Sequence, residues 1–214
     1  MPMPVDKTQV CNMALSLIKC DPITNVETGK DDISRLCNLW YDPSRKEALR
    51  LHVWNFAKKR AIITRCATAP AFGYSDKYEL PGDFVRLRTI GEDLDDMAGV
   101  DYEIEQDKYL LIDNDGGTSM YITYIFDETC VAKFDALFLK AFSCLLAVNL
   151  SYGIAGKETL RTGVTNMYDR AMMSARAVNG QDRPPTRVTR SKVIGARRQY
   201  SSGIGYQGDP SRIP

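Results

Sequence analysis

The hydrophobic period of this chain changes twice, and that double switch restricts the fold more than any other feature. Before residue 57 and after residue 134 apolar residues recur at helical spacing; between them they alternate or run in short β-branched stretches. At the N-terminal end Val10, Ala14, Leu17 and Ile18 share one helical face. Asp6 is placed to cap that helix, over about residues 6–19, and Asp21-Pro22 to end the segment, because a residue before proline avoids the helical region. Asp31 and Asp32 open a second helix, about residues 32–54, with Ile33, Leu36, Cys37 and Trp40 on its buried face and the exit near Trp54. Pro43 inside it either kinks the helix or occupies the first turn of a new one.

Residues 57–126 read as strands. Residues 58–65 carry Ile62, Ile63 and Thr64; residues 84–90 alternate; residues 102–105 and 109–112 form a hairpin around Asp107 and Lys108; and residues 120–126 are rich in β-branched and aromatic side chains. Helical period then returns over about residues 134–152, where Leu137, Ala141, Leu145, Val148 and Tyr152 share a face that Leu146 and Leu150 widen, which marks a central helix. Gly153 and Gly156 bound its end. A last helix, about residues 158–179, has the stripe Leu160, Val164, Met167, Ala171, Ala175 and Val178, and Asn179-Gly180 as its stop. Helices, then strands, then helices predict an α+β fold: N- and C-terminal helices in a bundle, with one small antiparallel β-sheet inserted.

Residues 181–214 form an extended arm. Seven cations against Asp182 and Asp209 give this segment a charge of +5, and with a chain total of +1 the first 180 residues carry −4. Large apolar residues are sparse in it, so burial cannot offset about 1–2 kcal/mol of ordering entropy per residue. The arm is therefore expected to order on a partner. Arg183, Arg187, Arg190, Lys192, Arg197 and Arg198, with Tyr200 and Tyr206, suit either nucleic-acid phosphates and bases or an acidic protein surface, and charge alone does not separate these.

No catalytic, metal or cofactor site emerges from the body. Cys11, Cys20, Cys37, Cys66, Cys130 and Cys144 include no C-x-x-C pair, and His52 is the lone histidine, so zinc spacing is missing and reduced thiols are expected. Asp113-Asn114-Asp115-Gly116 lacks the flanking acids of a calcium loop, with Leu111 and Ile122 at those positions, and reads as a turn. Glu92, Asp93, Asp95 and Asp96 read as a solvated acidic loop. His52 has no nucleophile in a recognisable context and reads as structural. The apolar run at residues 141–150 is expected to be too short to span a bilayer.

Several fragments together resemble the head-to-tail adaptor of short-tailed bacteriophages, the tail tubular protein A or gatekeeper-ring subunit. They are the opening NMALSLI at 12–18, CNLWYDPSR at 37–45 (similar to the family's C-x-x-x-Y-D-x-x-R helix) and LRLHVWNFA at 49–57 with Arg60-Ala61. Tyr78, Leu80, Pro81 and Asp83 resemble its Y-x-L-P-x-D strand; Phe134-Asp135 and residues 147–150 resemble the ends of its third long helix; Tyr168 and Ala171 fit its closing helix. Cys20 and Asp21 depart from the glycine-containing turn expected there.

The resemblance implies an adaptor body over residues 1–180 and a structural virion protein, assembled in the host cytoplasm. It implies a homo-oligomeric ring, a dodecamer, between the portal and the tail nozzle, with genomic DNA passing non-specifically through its channel. It implies no enzymatic activity, no cofactor and no membrane. Trp40, Trp54 and Phe56 are then the expected structural junction, and the arm a portal-docking element. The alternatives are a phage-encoded cell-wall hydrolase, for which no positioned carboxylate pair is identifiable, and a sequence-independent nucleic-acid-binding module, which the −4 body disfavours.

Overall fold

The computed structural model of the chain describes residues 5–91, 100–154 and 158–182, all within one compact unit. Its architecture is α+β, with four helices and two three-stranded antiparallel sheets. Helix α1, Lys7–Leu17, starts where expected: Asp6 accepts the Gln9 N–H at 2.7 Å. It ends well before Pro22. Lys19 takes a left-handed conformation at φ 59°, and its own N–H and that of Cys20 bond back to Ser16 and Leu15 at 3.3 and 3.0 Å. A lysine thus fills the place where glycine is usual.

Helix α2, Asp32–Arg50, is capped by Asp31, which accepts from Ser34 N–H at 2.9 Å and Ser34 Oγ at 2.8 Å. Pro43 lies within it on the exposed face, where the carbonyl it leaves unbonded faces solvent. The expected extension to residue 54 is corrected. The helix stops at Arg50 because Trp54 folds back into the core and donates its Nε1–H to the Ala48 carbonyl at 2.8 Å. Trp40 is corrected too: it is 38% exposed, and the buried face runs instead through Cys37, Tyr41, Ser44, Ala48 and Leu49.

The strands are β1 Lys58–Thr64, β2 Asp76–Glu79, β3 Phe84–Ile90, β4 Tyr102–Glu105, β5 Tyr109–Ile112 and β6 Ser119–Phe126. They form two sheets rather than the single one expected, with orders β1-β6-β3 and β2-β5-β4. The hairpin turn is centred on Gln106 and Asp107, both at positive φ, one residue earlier than expected. Side chains of both sheets, among them Ile63, Met120, Ile122 and Tyr124 from the first and Tyr78, Leu110 and Ile112 from the second, enclose one hydrophobic core. Ile125, on the opposite face of β6, enters a larger helical core. Strand β6 therefore joins the two cores.

A 3₁₀ turn, Val131–Lys133, leads into α3, Ala136–Ile154, which packs against α1, α2 and α4, Glu158–Gln181. This helix is central, as expected. Its buried face is carried by Phe138, Ala141, Phe142, Leu145, Leu146 and Leu150, while Tyr152 is 68% exposed. By length and composition α3 could cross a bilayer, contrary to the sequence expectation, but more than half of its apolar window is buried by neighbouring helices. On α4 the buried stripe is Val164, Ala171, Met172 and Ala175; Met167 and Val178 are exposed. Asn179 and Gly180 lie inside α4 rather than stopping it.

Candidate functional site: the junction of helices and sheets

The turn that follows α2 is where the helical bundle meets the β region. Trp54 is 1% exposed and packs edge-on against Phe138 of α3, with ring centroids 4.9 Å apart. Phe56, half-buried, stands 4.8 Å from Phe138 and 5.8 Å from Phe134. The expected junction therefore consists of Trp54 and Phe56 but not Trp40.

The same turn is fastened by Asn179. Its Oδ1 accepts the Asn55 N–H at 2.9 Å, and its carbonyl accepts Asn55 Nδ2 at 2.8 Å. Its Nδ2 donates to the Val53 carbonyl at 2.8 Å and lies 2.9 Å from His52 Nε2. That geometry makes His52 Nε2 the acceptor, so the ring proton sits on Nδ1 in the neutral form. Burial, then Arg176 and Arg86, hold the His52 pKa below its usual value. His52 also meets Trp54 edge-on at 4.9 Å. It is a structural acceptor, with none of the surroundings of a catalytic base.

A second link ties α2 to the end of β6. The Arg45 side chain is only 3% exposed. Its guanidinium bonds both carboxylate oxygens of Asp127, donates to the Glu128 carbonyl at 2.9 Å, and reaches Asp42 at 3.1 Å. A buried guanidinium needs such partners, since an unpaired buried charge is strongly unfavourable.

A third hub lies in the β region. Asp76 is buried, and its Oδ2 accepts from Ser75 Oγ at 2.8 Å, Asn114 N–H at 3.1 Å and Gly116 N–H at 3.3 Å. Arg65 Nε stands 2.7 Å from its other oxygen, an ion pair without hydrogen-bond alignment. The Ser75 hydroxyl, then the Asn114 and Gly116 amides and Arg65, keep the Asp76 carboxyl below the usual carboxylate range despite burial. The segment read as a turn at 113–116 is thus a turn whose amides serve a protein carboxylate. In the same region Asp83 accepts from Tyr124 OH at 2.9 Å and Lys59 Nζ at 2.7 Å.

Among the described residues no three His, Cys, Asp or Glu side chains converge to hold a metal ion. The arm residues Arg183, Arg187, Arg190, Lys192, Arg197, Arg198, Tyr200 and Tyr206 lie outside the described residues, as does the acidic loop at 92–96. Asn179, Arg45 and Asp76 were not anticipated as hubs. Only Arg45 had a sequence signal: a charge on the helical face shared with Tyr41 and Ala48.

The described site is a set of tertiary fasteners. It can hold helices and sheets in fixed relation, and it presents no nucleophile–base pair. No family model matches this chain, and no curated protein matches it.

Proposed function

We propose that this chain is a structural virion protein: a subunit of the ring-forming head-to-tail adaptor of short-tailed bacteriophages, joining the portal to the tail nozzle and lining the DNA exit channel. The observation that carries the reading is where the fragments of resemblance fall in the fold. Cys37, Tyr41 and Arg45 meet α1, α3 and the end of β6; Trp54, Asn55 and Phe56 meet α3 and α4; Tyr78 and Asp83 tie the β region together. Fragments that are short in sequence thus act jointly as the contacts that define one tertiary arrangement, as a shared fold requires.

On this reading the body does no chemistry and takes no cofactor. It repeats around a ring, each copy meeting the next through heterologous surfaces that close. The +5 arm reaches a neighbour, and the portal is the docking partner we assign to it. An extended segment of that length spans up to roughly 110 Å, enough to cross onto an adjacent subunit or ring.

Antibodies raised against the purified chain test the reading on particles assembled from the genome that encodes it. Gold labelling confined to the vertex between head and tail supports it. Particles that carry the label elsewhere, or not at all, overturn it.

A further inference from the structure

Two thiols lie between the N-terminal helices and have no part in the function proposed above. Lys7 of α1 donates its Nζ proton to Asn38 Oδ1 of α2 at 2.8 Å and stands 5.0 Å from the centroid of the Tyr41 ring. One turn onward from Lys7 along α1 is Cys11; one turn back from Tyr41 along α2 is Cys37. The helices run antiparallel at this crossing, so these two side chains face each other. Both residues are 0% exposed, both belong to the helical core, and they share a side-chain hydrogen bond. All six cysteines of the chain are free thiols.

We propose that Cys11 and Cys37 are a redox-closable clasp, whose sulfurs an oxidant joins as a disulfide that ties α1 to α2 while the body stays folded. The pair is asymmetric in a useful way. The bond from Cys11 holds the Cys37 thiol below its usual range, while that same bond, then burial, pushes Cys11 up. Cys37 is therefore the sulfur that reaches the thiolate first and attacks. With an azo oxidant such as diamide, the Cys37 thiolate adds to the N=N bond. The Cys11 sulfur then attacks Cys37 Sγ, forming S–S and releasing the reagent as its hydrazine. Two thiols lose two protons and two electrons, and the azo bond gains both. Cys20 is the nearby competitor. It is half-buried, and burial, then Asp21 and Cys37, push its thiol up, which makes it the poorer nucleophile.

The experiment treats the folded full-length chain with diamide, blocks remaining thiols with N-ethylmaleimide in denaturant, and maps the peptides by mass spectrometry. The expected product is a peptide pair linking Cys11 to Cys37, with the loss of two hydrogens, reversed by dithiothreitol. The oxidised chain should also unfold at higher urea than the reduced one, a shift absent in Cys11→Ala and Cys37→Ala. The map needs no variant, so it stays decisive if either alanine chain fails to fold. A folded chain whose Cys11 and Cys37 both end up alkylated, or in which Cys37 pairs with Cys20 instead, overturns the clasp. So does a Cys11–Cys37 link that forms only when the oxidant is added in urea.

Discussion

Asn55 and Asn179 are joined at both amide groups of Asn55: its backbone N–H donates to the Asn179 side-chain oxygen at 2.9 Å, and its side-chain nitrogen donates to the Asn179 carbonyl at 2.8 Å. One residue near the end of the last helix thereby fixes the turn that carries Trp54 and Phe56. Replacing Asn179 by alanine leaves the half-buried Asn55 N–H and the Val53 carbonyl without their partner. The expected cost is about 2 kcal/mol of stability, near the middle of what unsatisfied buried groups lose. Urea melts of Asn55→Ala, Asn179→Ala and the double variant form a cycle that should give a coupling of about 1 kcal/mol or more. Strict additivity would mean that the two residues do not act together.

Trp54→Ala should destabilise the body by about 3–5 kcal/mol, the range for truncating a buried aromatic. Trp40→Ala, at an exposed position, should change it by less than about 1 kcal/mol. Denaturant titrations of the two variants side by side check the contrast. Equal losses would mean that Trp40 is a core residue after all.

Acid should weaken the fold in two windows. The Asp76 carboxyl has a lowered pKa, from the Ser75 hydroxyl first and then backbone amides; Asp31 is lowered by the Ser34 amide and hydroxyl. A carboxylate with a depressed folded-state pKa contributes stability above its unfolded value, near 3.8 here, and loses it as pH falls through the folded value. His52 is depressed as well, so the unfolded chain takes up its proton first, and that contribution is lost as pH falls below about 6.5. Urea midpoints should decline modestly between pH 7 and 5, and again below pH 4. His52→Gln should flatten the upper window only; an unchanged upper slope in that variant would refute the assignment.

The strands of the β region were legible in sequence because β-branched and aromatic runs announce them locally. Their division into two sheets was not. Strand β6, last in sequence, is the centre of its sheet and pairs with β1 and β3 on either side, a choice made by packing across long separations. The central role of α3 was readable from its broad apolar face. Its inward residues were not all readable, since on a helix apolar nearly all round Tyr152 looks as buried as Phe138. Trp40 misled for a related reason. It lies one turn from Leu36 and less than one from Cys37, and only the position of α3 decides which side faces inward. Arg45, Asp76 and Asn179 act through partners far along the chain, and spacing carries no trace of such bonds.

Truncation after Asp182 should leave the body folded. It spares Asn179 and the Asp182 N–H bond to the Val178 carbonyl at 3.2 Å. Thermal melting of the truncated and full chains should coincide within a few degrees, while co-sedimentation with portal rings from the same genome is lost. A truncated chain that sediments with those rings as the full chain does would remove the docking role from the arm.

The central claim is a ring, and its most direct test is mass. Native mass spectrometry of the full chain, alone and mixed with the portal protein encoded beside it, should find a dodecamer of the 24.0 kDa chain seated on the portal ring. A chain that stays monomeric in both conditions, over a concentration range that saturates the portal, would contradict the account.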